Sequence, residues 1–282
     1  MKEYSLMLAG LRTVLRTPYE ITISENLQPF LSCRHEKYDC IIELRKVSVL
    51  PEFSENGVWH GLEYYDCQEG RMRVFHSNSP KSAPFSMTQI YENGNVEVSV
   101  LDEYLSYFSG TAGIFNRIGM ETLLLQNRGL LLHSSLVKYG ENAIIFSGPS
   151  GVGKSTQADI WREYLGAEVL NGDRAALRKE NGLWNAYGSP YAGTSEIYKN
   201  DFAPLKAVVI LRQAKENRFT RLTDGEAFRY IYPEISIHHW QKEFVSKATD
   251  ICLEMLADIP VYMLECLPEK DAALLVKKGL GL

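Results

Sequence analysis

The stretch Gly148–Ser155, which reads GPSGVGKS, constrains the fold of this 282-residue chain more than any other feature. Its residues satisfy the spacing G-x-x-x-x-G-K-[S/T], and Gly151 adds a further glycine inside it. Such a loop must point several backbone N–H groups at one anion, and glycine adopts the dihedral angles that this requires. An apolar run, NAIIFSG, precedes the loop, and an amphipathic run, KSTQADIWREYL, follows it. The sequence therefore predicts a strand, a phosphate-binding loop and a helix, in that order.

The residue types of the loop indicate how a nucleotide would be held. Lys154 can reach the β- and γ-phosphates, and the helix that begins there adds the positive end of its dipole. The Ser155 hydroxyl can ligate Mg²⁺, with help from Thr156. We therefore expect ATP and Mg²⁺ as cofactors. The predicted nucleotide-binding residues are Gly148, Ser150, Gly151, Val152, Gly153, Lys154, Ser155 and Thr156.

Two further candidates lie on strands predicted near the loop. Asp173 ends the strand in GAEVLNGDR, and a carboxylate there can hold Mg²⁺ or take a proton from an acceptor, although NGD also suits a plain turn. His133 interrupts the apolar run GLLLHSSLV on the strand predicted to pair with the loop strand, where a hydrogen-bonded structural role is the alternative. The predicted catalytic residues are Asp173, His133 and Lys154, and the predicted metal ligands are Ser155 and Asp173. Candidate charge-stabilising arginines are Arg174, Arg212 and Arg218.

Composition excludes several classes of protein. The chain is 45% apolar and 23% charged, which is typical of a globular protein with a buried core. Its net charge of −5 argues against a general nucleic-acid binder. The N-terminal run YSLMLAGL lacks a cleavage site, and no apolar run reaches membrane-spanning length, so we expect a cytoplasmic protein.

The cysteines are odd in number, and no two of them form a Cys-x-x-Cys pair, so we expect them to be reduced thiols. They are Cys33, Cys40, Cys67, Cys252 and Cys266.

The pattern of apolar residues changes near Gly110 and predicts two domains. Residues 1–109 carry runs such as YEITIS, DCIIELRKVSVL and NVEVSVL, which are typical of an antiparallel β-rich domain. Helical spacing then appears in GTAGIFNRIGMETLLLQNRG, and KYGEN predicts a tight hairpin turn before the loop strand. In LTDGEAF, Thr223 and Glu226 form a potential capping box. Residues 110–282 thus predict an α/β domain around the phosphate-binding loop.

These motifs together resemble the HPr kinase/phosphorylase superfamily, whose fold is shared with phosphoenolpyruvate carboxykinases. The resemblance rests on the histidine-bearing strand, the loop, the Asp after the next strand and the glycine-containing segment GSPYAGTSE, and it covers about 110–282. The tail from LRQAKENRFTRL to EKDAALLV is similar to HPr-kinase-like proteins of peptide-modification clusters, including lasso-precursor kinases. By this resemblance His133 matches the family's histidine, and Asp173 matches the second of two adjacent aspartates.

The chain also departs from that family at two positions. Gly172 stands where the family has the first aspartate, and Thr156 stands where HPr kinases have a glutamate. The reverse, phosphorolytic activity is therefore not implied, and no regulatory motif of HPr kinases is matched. We expect a kinase that transfers the γ-phosphoryl group to a serine of a peptide or protein, or to a small alcohol. The loop Gly188–Glu196 would face that acceptor.

Three other expectations complete this interpretation. A non-catalytic nucleotide-binding protein and a carboxykinase-like decarboxylase are the alternative functions, although no cluster of metal and dicarboxylate ligands favours the second. The β-rich N-terminal domain would recognise the acceptor or serve as a scaffold. The partners would be a nucleotide and a hydroxyl-bearing acceptor, with no nucleic acid and no membrane, and the chain could form a homo-oligomer.

Overall fold

The structure, a computed structural model, describes residues 1–53, 57–60, 63–66, 72–76, 82–91, 93–191, 193–239 and 242–282. Its contacts divide the chain into two units, which are described one at a time. The first unit comprises Met1–Asn127 and His238–Ser246, and the second comprises Arg128–Ile237 and Lys247–Leu282. Each unit contains an eight-stranded sheet with both parallel and antiparallel neighbours.

The sheet of the first unit is mixed, so the expectation of an antiparallel β-rich domain holds for most neighbouring strands but not for all. Strand β2 pairs in parallel with β3, which the chain reaches by crossing over through residues 18–39, and β3 also pairs in parallel with β8. The run YEITIS forms no strand apart from a single bridge at Thr22, and a 3₁₀ turn follows it at Glu25–Phe30. The strands are β1 (Lys2–Leu8), β2 (Leu11–Thr17), β3 (Cys40–Val47), β4 (Gly57–His60), β5 (Glu63–Asp66), β6 (Met72–His76), β7 (Pro84–Ile90) and β8 (Val96–Leu101), in the order β1-β2-β3-β8-β7-β6-β5-β4.

Two helices after a 3₁₀ segment at Asp102–Phe108 extend the first unit beyond the boundary expected near Gly110. The single predicted helix is divided into α1 (Thr111–Ile118) and α2 (Met120–Gln126), because Gly119 has a φ of +73°. The end of α1 is tied to the sheet by side-chain hydrogen bonds. Thr88 Oγ1 donates to the Arg117 carbonyl at 3.2 Å, and Arg73 Nη1 donates to the Ile118 carbonyl at 3.0 Å. These bonds hold the end of α1 on the first sheet, and α2 belongs to the same unit.

The second unit carries the phosphate-loop sequence. Its strands are β9 (Gly129–Tyr139), β10 (Asn142–Ser147), β11 (Glu168–Asn171), β12 (Arg174–Glu180), β13 (Leu183–Tyr187), β14 (Phe202–Gln213), β15 (Arg218–Arg221) and β16 (Val261–Cys266). The helices after α2 are α3 (Lys154–Leu165), α4 (Asp224–Ile231), α5 (Lys242–Asp258) and α6 (Lys270–Leu280), and the start of α5, through Ser246, belongs to the first unit. Turns of 3₁₀ helix occupy Gly193–Ser195 and Tyr232–Glu234. The sheet order is β10-β9-β12-β13-β14-β16-β15, with β11 paired to β9 and β10 also paired to β14.

The strand arrangement places the loop at one edge of this sheet. The predicted hairpin at KYGEN is confirmed, since β9 and β10 pair antiparallel from Tyr139–Asn142 onward. Strand β10 then runs parallel to β14, and β14 runs parallel to β16, so their carboxyl ends lie at the same edge. The apolar face of α3 covers the sheet through Trp161, which is fully buried against Phe146 and Tyr139. This packing fixes the start of α3 directly after β10.

Several shorter sequence features have the expected form. The capping box of α4 is confirmed: Thr223 accepts a hydrogen bond from the Glu226 backbone N–H, and the Glu226 carboxylate accepts one from the Thr223 backbone. Cys33, Cys40, Cys252 and Cys266 are free thiols, and Cys67 lies outside the described residues. Among the helices of the described ranges, none is long and apolar enough to cross a membrane.

Candidate functional site

The loop after β10 has the backbone that its glycines predict. Gly148, Gly151 and Gly153 have φ values of +139°, +79° and +112°, a region that side chains with a Cβ rarely adopt. No atom lies within 4 Å of the positions that a Cβ would occupy on Gly151 and Gly153, so their constraint is conformational and not steric. Helix α3 begins at Lys154, and its first N–H groups lie at the end of this loop. The geometry is that of an anion-binding nest at a helix N-terminus.

Lys154 is the buried cation of this nest. Its side chain is only 8% exposed, and its ammonium donates hydrogen bonds to the carbonyls of Gly148 at 2.7 Å and Pro149 at 3.1 Å. Burial lowers the pKa of Lys154, while the nearby carboxylates of Glu234 and Asp173 act in the opposite direction. The ammonium thus lies among carbonyl oxygens. Burial lowers its pKa more than the two carboxylates raise it. Such an environment favours binding of an added anion.

Most of the remaining residues of the loop are open to solvent. Ser150, Ser155 and Thr156 are exposed, and Val152 is half-buried. A pocket of about 430 Å³ adjoins this side of the loop, at the edge where β14 and β16 end. Its lining includes Val152, Thr156, Gln157, Leu211, Cys266 and Pro268. The pocket combines apolar walls with the polar loop, which suits a nucleoside.

Asp173 lies in the bend between β11 and β12, within reach of the loop lysine. The bend is organised by Asn171, a fully buried residue that the sequence analysis missed. Its Oδ1 accepts hydrogen bonds from the backbone N–H groups of Asp173 at 2.9 Å and Arg174 at 2.7 Å. Its Nδ2 donates to the carbonyls of Ser189 at 3.0 Å and Tyr191 at 2.8 Å. Asn171 therefore joins the Asp173 bend to the following loop.

That following loop, Gly188–Glu196, closes over the bend; its Ala192 lies outside the described residues. A Cβ on Gly193 would come within 2.9 Å of the Asp173 Cβ, so this glycine packs directly on the carboxylate side chain. A Cβ on Gly172 would lie 2.5 Å from the Ser195 Cβ. Ser195 thus fills the space beside Gly172, the position where the resemblance expects the first of two aspartates. The glycine-containing loop therefore packs on the candidate catalytic residue.

His133 lies at the same edge and has a partner that sequence reasoning missed. Ser147, the last residue of β10, donates its hydroxyl to the His133 carbonyl at 2.9 Å, which ties the histidine to the start of the loop. His133 Nδ1 lies 2.9 Å from Glu234 Oε2. A bridge between Leu132 and Ile235 brings Glu234 to β9 from more than a hundred residues along the chain. The only local signal was an acidic residue after a proline, which occurs in many loops.

Of the three candidate arginines, Arg174 lies at the site. It is opposite His133 in the β9–β12 pairing, and its Nε lies 3.6 Å from Asp173 Oδ2. Its guanidinium also lies over the Tyr191 ring, 5.3 Å from the centroid. Arg212 instead contacts Tyr230 and Glu265, and Arg218 lies on β15. The site therefore brings together Lys154, Asp173, His133, Arg174 and Glu234.

Comparisons with known proteins add little to this geometry. Neither a scan of protein-family models nor a search of curated proteins gives a match. Among solved structures, the chain is similar to an Hpr(Ser) kinase/phosphatase from Coxiella burnetii, with 8% sequence identity and a TM-score of 0.32. The similarity covers 52% of this chain and 86% of that protein. At these values it does not establish a common fold, and no residue role is transferred from it.

Proposed function

We propose that this protein is an ATP- and Mg²⁺-dependent kinase that transfers the γ-phosphoryl group to a hydroxyl. The observation that carries the proposal is the buried Lys154 ammonium in a loop of positive-φ glycines. Burial disfavours the charge of this ammonium and lowers its pKa. Two carboxylates, Asp173 and Glu234, act on the same ammonium. A nest for phosphates beside acidic side chains is the combination that phosphoryl transfer uses.

The residues of the site suit both ATP and Mg²⁺. The loop N–H groups and Lys154 would hold the β- and γ-phosphates. The exposed Ser155 hydroxyl and the Asp173 carboxylate are hard oxygen donors of the kind that Mg²⁺ prefers. When bound, Mg²⁺ would offset the negative charge of the phosphates. Arg174, next to Asp173, would stabilise charge on the phosphoryl group in transfer.

The acceptor side of the site is the loop Gly188–Glu196. Its small residues pack on the Asp173 bend and leave that carboxylate 29% exposed, so a second substrate can reach it. A serine hydroxyl of a peptide or protein fits such an opening, as does a small alcohol. We favour a peptide serine, because the tail of the chain resembles peptide-modifying kinases in sequence. Asp173 would orient that hydroxyl.

A second candidate, a protein that binds nucleotide without transferring phosphate, is favoured by one contact. Ser195 occupies the space that a side chain at Gly172 would need. The site therefore has no room for the first of the two aspartates that the resemblance to HPr kinases implies. In that case ATP would act as a structural or regulatory ligand. The two candidates differ only in turnover.

Labelled ATP and a panel of serine-bearing peptides separate these candidates. Titration calorimetry with ATP–Mg²⁺ first establishes binding, which both candidates require. We expect label on at least one peptide, reduced about 100-fold by Asp173→Asn with ATP binding retained, because loss of an acid–base or orienting group acts on turnover. Binding without label on any peptide would favour the second candidate. Absence of ATP binding would reject both.

A further inference from the structure

The pair formed by His133 and Glu234 has the geometry of a proton-transfer couple. Glu234 Oε2 and His133 Nδ1 are 2.9 Å apart. The carboxylate side chain is 13% exposed and the imidazole 32%, so the carboxylate is the inner member and the ring faces outward. Among the described residues, the other ring nitrogen, Nε2, has no hydrogen-bond partner. The couple thus has a fixed inner end and an open outer end.

The chemistry of the inner contact sets the state of the outer nitrogen. An ionised carboxylate only accepts hydrogen bonds, so the neutral ring must carry its proton on Nδ1 and donate it to Glu234. The lone pair of Nε2 is then free to accept a proton, which is the arrangement of a carboxylate-oriented histidine base. No other described side chain at this site combines an open proton acceptor with a buried orienting group.

The couple also lies where a base would be needed. The Glu234 carboxylate acts on the Lys154 ammonium, which in the proposed function holds the terminal phosphates. The His133 carbonyl is bonded to Ser147, the residue just before the loop, and His133 is opposite Arg174 in the sheet. His133 therefore lies on the strand between β10, which leads into the phosphate nest, and β12, which follows the Asp173 bend.

We propose that His133 is the catalytic base for the acceptor hydroxyl and that Glu234 is its positioning residue. This assignment rests on the proposed kinase function and leaves Asp173 to hold Mg²⁺ and orient the acceptor. The hydroxyl proton moves to His133 Nε2 as the acceptor oxygen bonds to the γ-phosphorus. The bond from that phosphorus to its bridging oxygen breaks, ADP leaves with the electron pair, and the imidazolium then loses its proton to solvent.

The ring state can be measured without any turnover. In ¹⁵N-histidine protein in alkaline buffer, the ring signals that disappear in His133→Ala belong to His133. We expect them to report a protonated Nδ1 and an unprotonated Nε2, and Glu234→Leu should abolish this single-tautomer pattern. Glu163→Gln, at an exposed position on α3, is the control that should leave it unchanged. An Nε2-protonated ring in the wild-type protein would overturn the assignment.

The kinetic test uses water as the acceptor and follows ATP hydrolysis, so that no peptide need be identified. We expect His133→Ala to lower kcat about 100-fold with the KM for ATP unchanged, and free imidazole to restore part of the loss. Glu234→Gln should lower kcat about tenfold, again at constant KM, and Glu234→Asp should retain more activity than Glu234→Gln. Glu163→Gln should match the wild type.

The outcomes separate failure of this assignment from failure of the proposed function. Wild-type turnover that His133→Ala leaves intact, or a loss that imidazole does not restore while ATP binding is normal, would overturn the base assignment alone. ATP binding with neither hydrolysis nor transfer to any peptide would remove the kinase function and the base assignment with it. In that event the tautomer measurement would still show whether Glu234 fixes the ring.

Discussion

Lys154 in the second unit and Glu121 in the first are both charged and largely buried, and the two charges are treated in opposite ways. In the second unit, Lys154 lies among backbone carbonyls, and burial lowers its pKa in spite of two carboxylates nearby. In the first unit, burial opposes the charge of Glu121. The hydrogen bond and charge of His238 at 3.1 Å, together with a backbone hydrogen bond and the charge of Arg73, outweigh burial, so the pKa of Glu121 is lowered. The fold itself thus stabilises one buried charge and disfavours the other.

The difference teaches which buried charge has a structural role and which is available to a ligand. Glu121 has a complete set of neighbours: His238 holds its carboxylate, and the His238 ring stacks on Phe244 with centroids 4.7 Å apart. The carboxylates near Lys154 do not offset the cost of burying its charge, so an incoming polyanion would supply the missing negative charge. We therefore expect changes at Lys154 to affect binding and changes at Glu121 to affect stability.

The largest expected effect follows Lys154→Met. Loss of the buried ammonium should weaken ATP–Mg²⁺ binding about 100-fold, the size expected when charged hydrogen bonds are removed. The free protein should be at least as resistant to thermal unfolding, because burial opposes the lysine charge. Calorimetric titration and thermal denaturation measure the two effects. Lys206→Met, at an exposed position on β14, should leave both unchanged. A Lys154→Met variant that binds ATP normally would show that this charge has no ligand role.

Glu121→Gln should have the opposite profile. We expect the free energy of unfolding to fall by about 2 kcal/mol near neutral pH, because a buried charge-assisted hydrogen bond is weakened. ATP affinity should remain unchanged. The folded-state pKa of Glu121 is below its ordinary value of 4.5, so its stabilising contribution is present above that pH and is lost as pH falls through the lowered pKa. The difference between wild type and variant should therefore disappear in acid.

Denaturant unfolding at several pH values measures this convergence. Glu163→Gln provides a matched control on an exposed helix surface. A stability difference that persists unchanged at low pH would mean that Glu121 acts through packing and not through its charge. An accompanying loss of ATP binding would contradict the separation of the two charges.

The two charges also differ in how far the sequence could predict them. The Lys154 site is contiguous in sequence: the glycine spacing, the strand before it and the helix after it were all predicted, and the structure has all three. Its long-range members were not all accessible. Glu234 reaches His133 through a bridge between Leu132 and Ile235, and nothing local to Glu234 indicates that pairing. Hydrophobic periodicity predicts an element but not its distant partner.

The first sheet illustrates the same limit. Strands such as β3 and β8 were located from their apolar and β-branched runs, but β1, β2 and β4 were not, and the parallel pairings of β3 with β2 and β8 were missed. The Glu121–His238 pair was equally inaccessible, since the two residues lie 117 positions apart. Asp173 was found because it follows a strand directly. Asn171, two residues earlier, was missed because its role depends on carbonyls supplied by Ser189 and Tyr191.

The smallest expected effect concerns Gly172. Ser195 of the loop Gly188–Glu196 packs against this glycine and leaves no room for a carboxylate there, near Lys154. Gly172→Ala would place its Cβ 2.5 Å from the Ser195 Cβ, so the Gly193–Ser195 turn must shift. We expect a loss of about 1 kcal/mol in unfolding free energy, at the low end for overpacking. Ser195→Gly alone should cost little, and the double variant should recover most of the loss, which a double-mutant cycle measures.

Because Gly193 packs on Asp173, the Gly172→Ala variant should also lower turnover more than it lowers ATP affinity. Equal stability of Gly172→Ala and wild type would mean that the turn yields freely. A carboxylate at position 172 could then be accommodated. In that case, lack of space would not be the reason why the site has no carboxylate there.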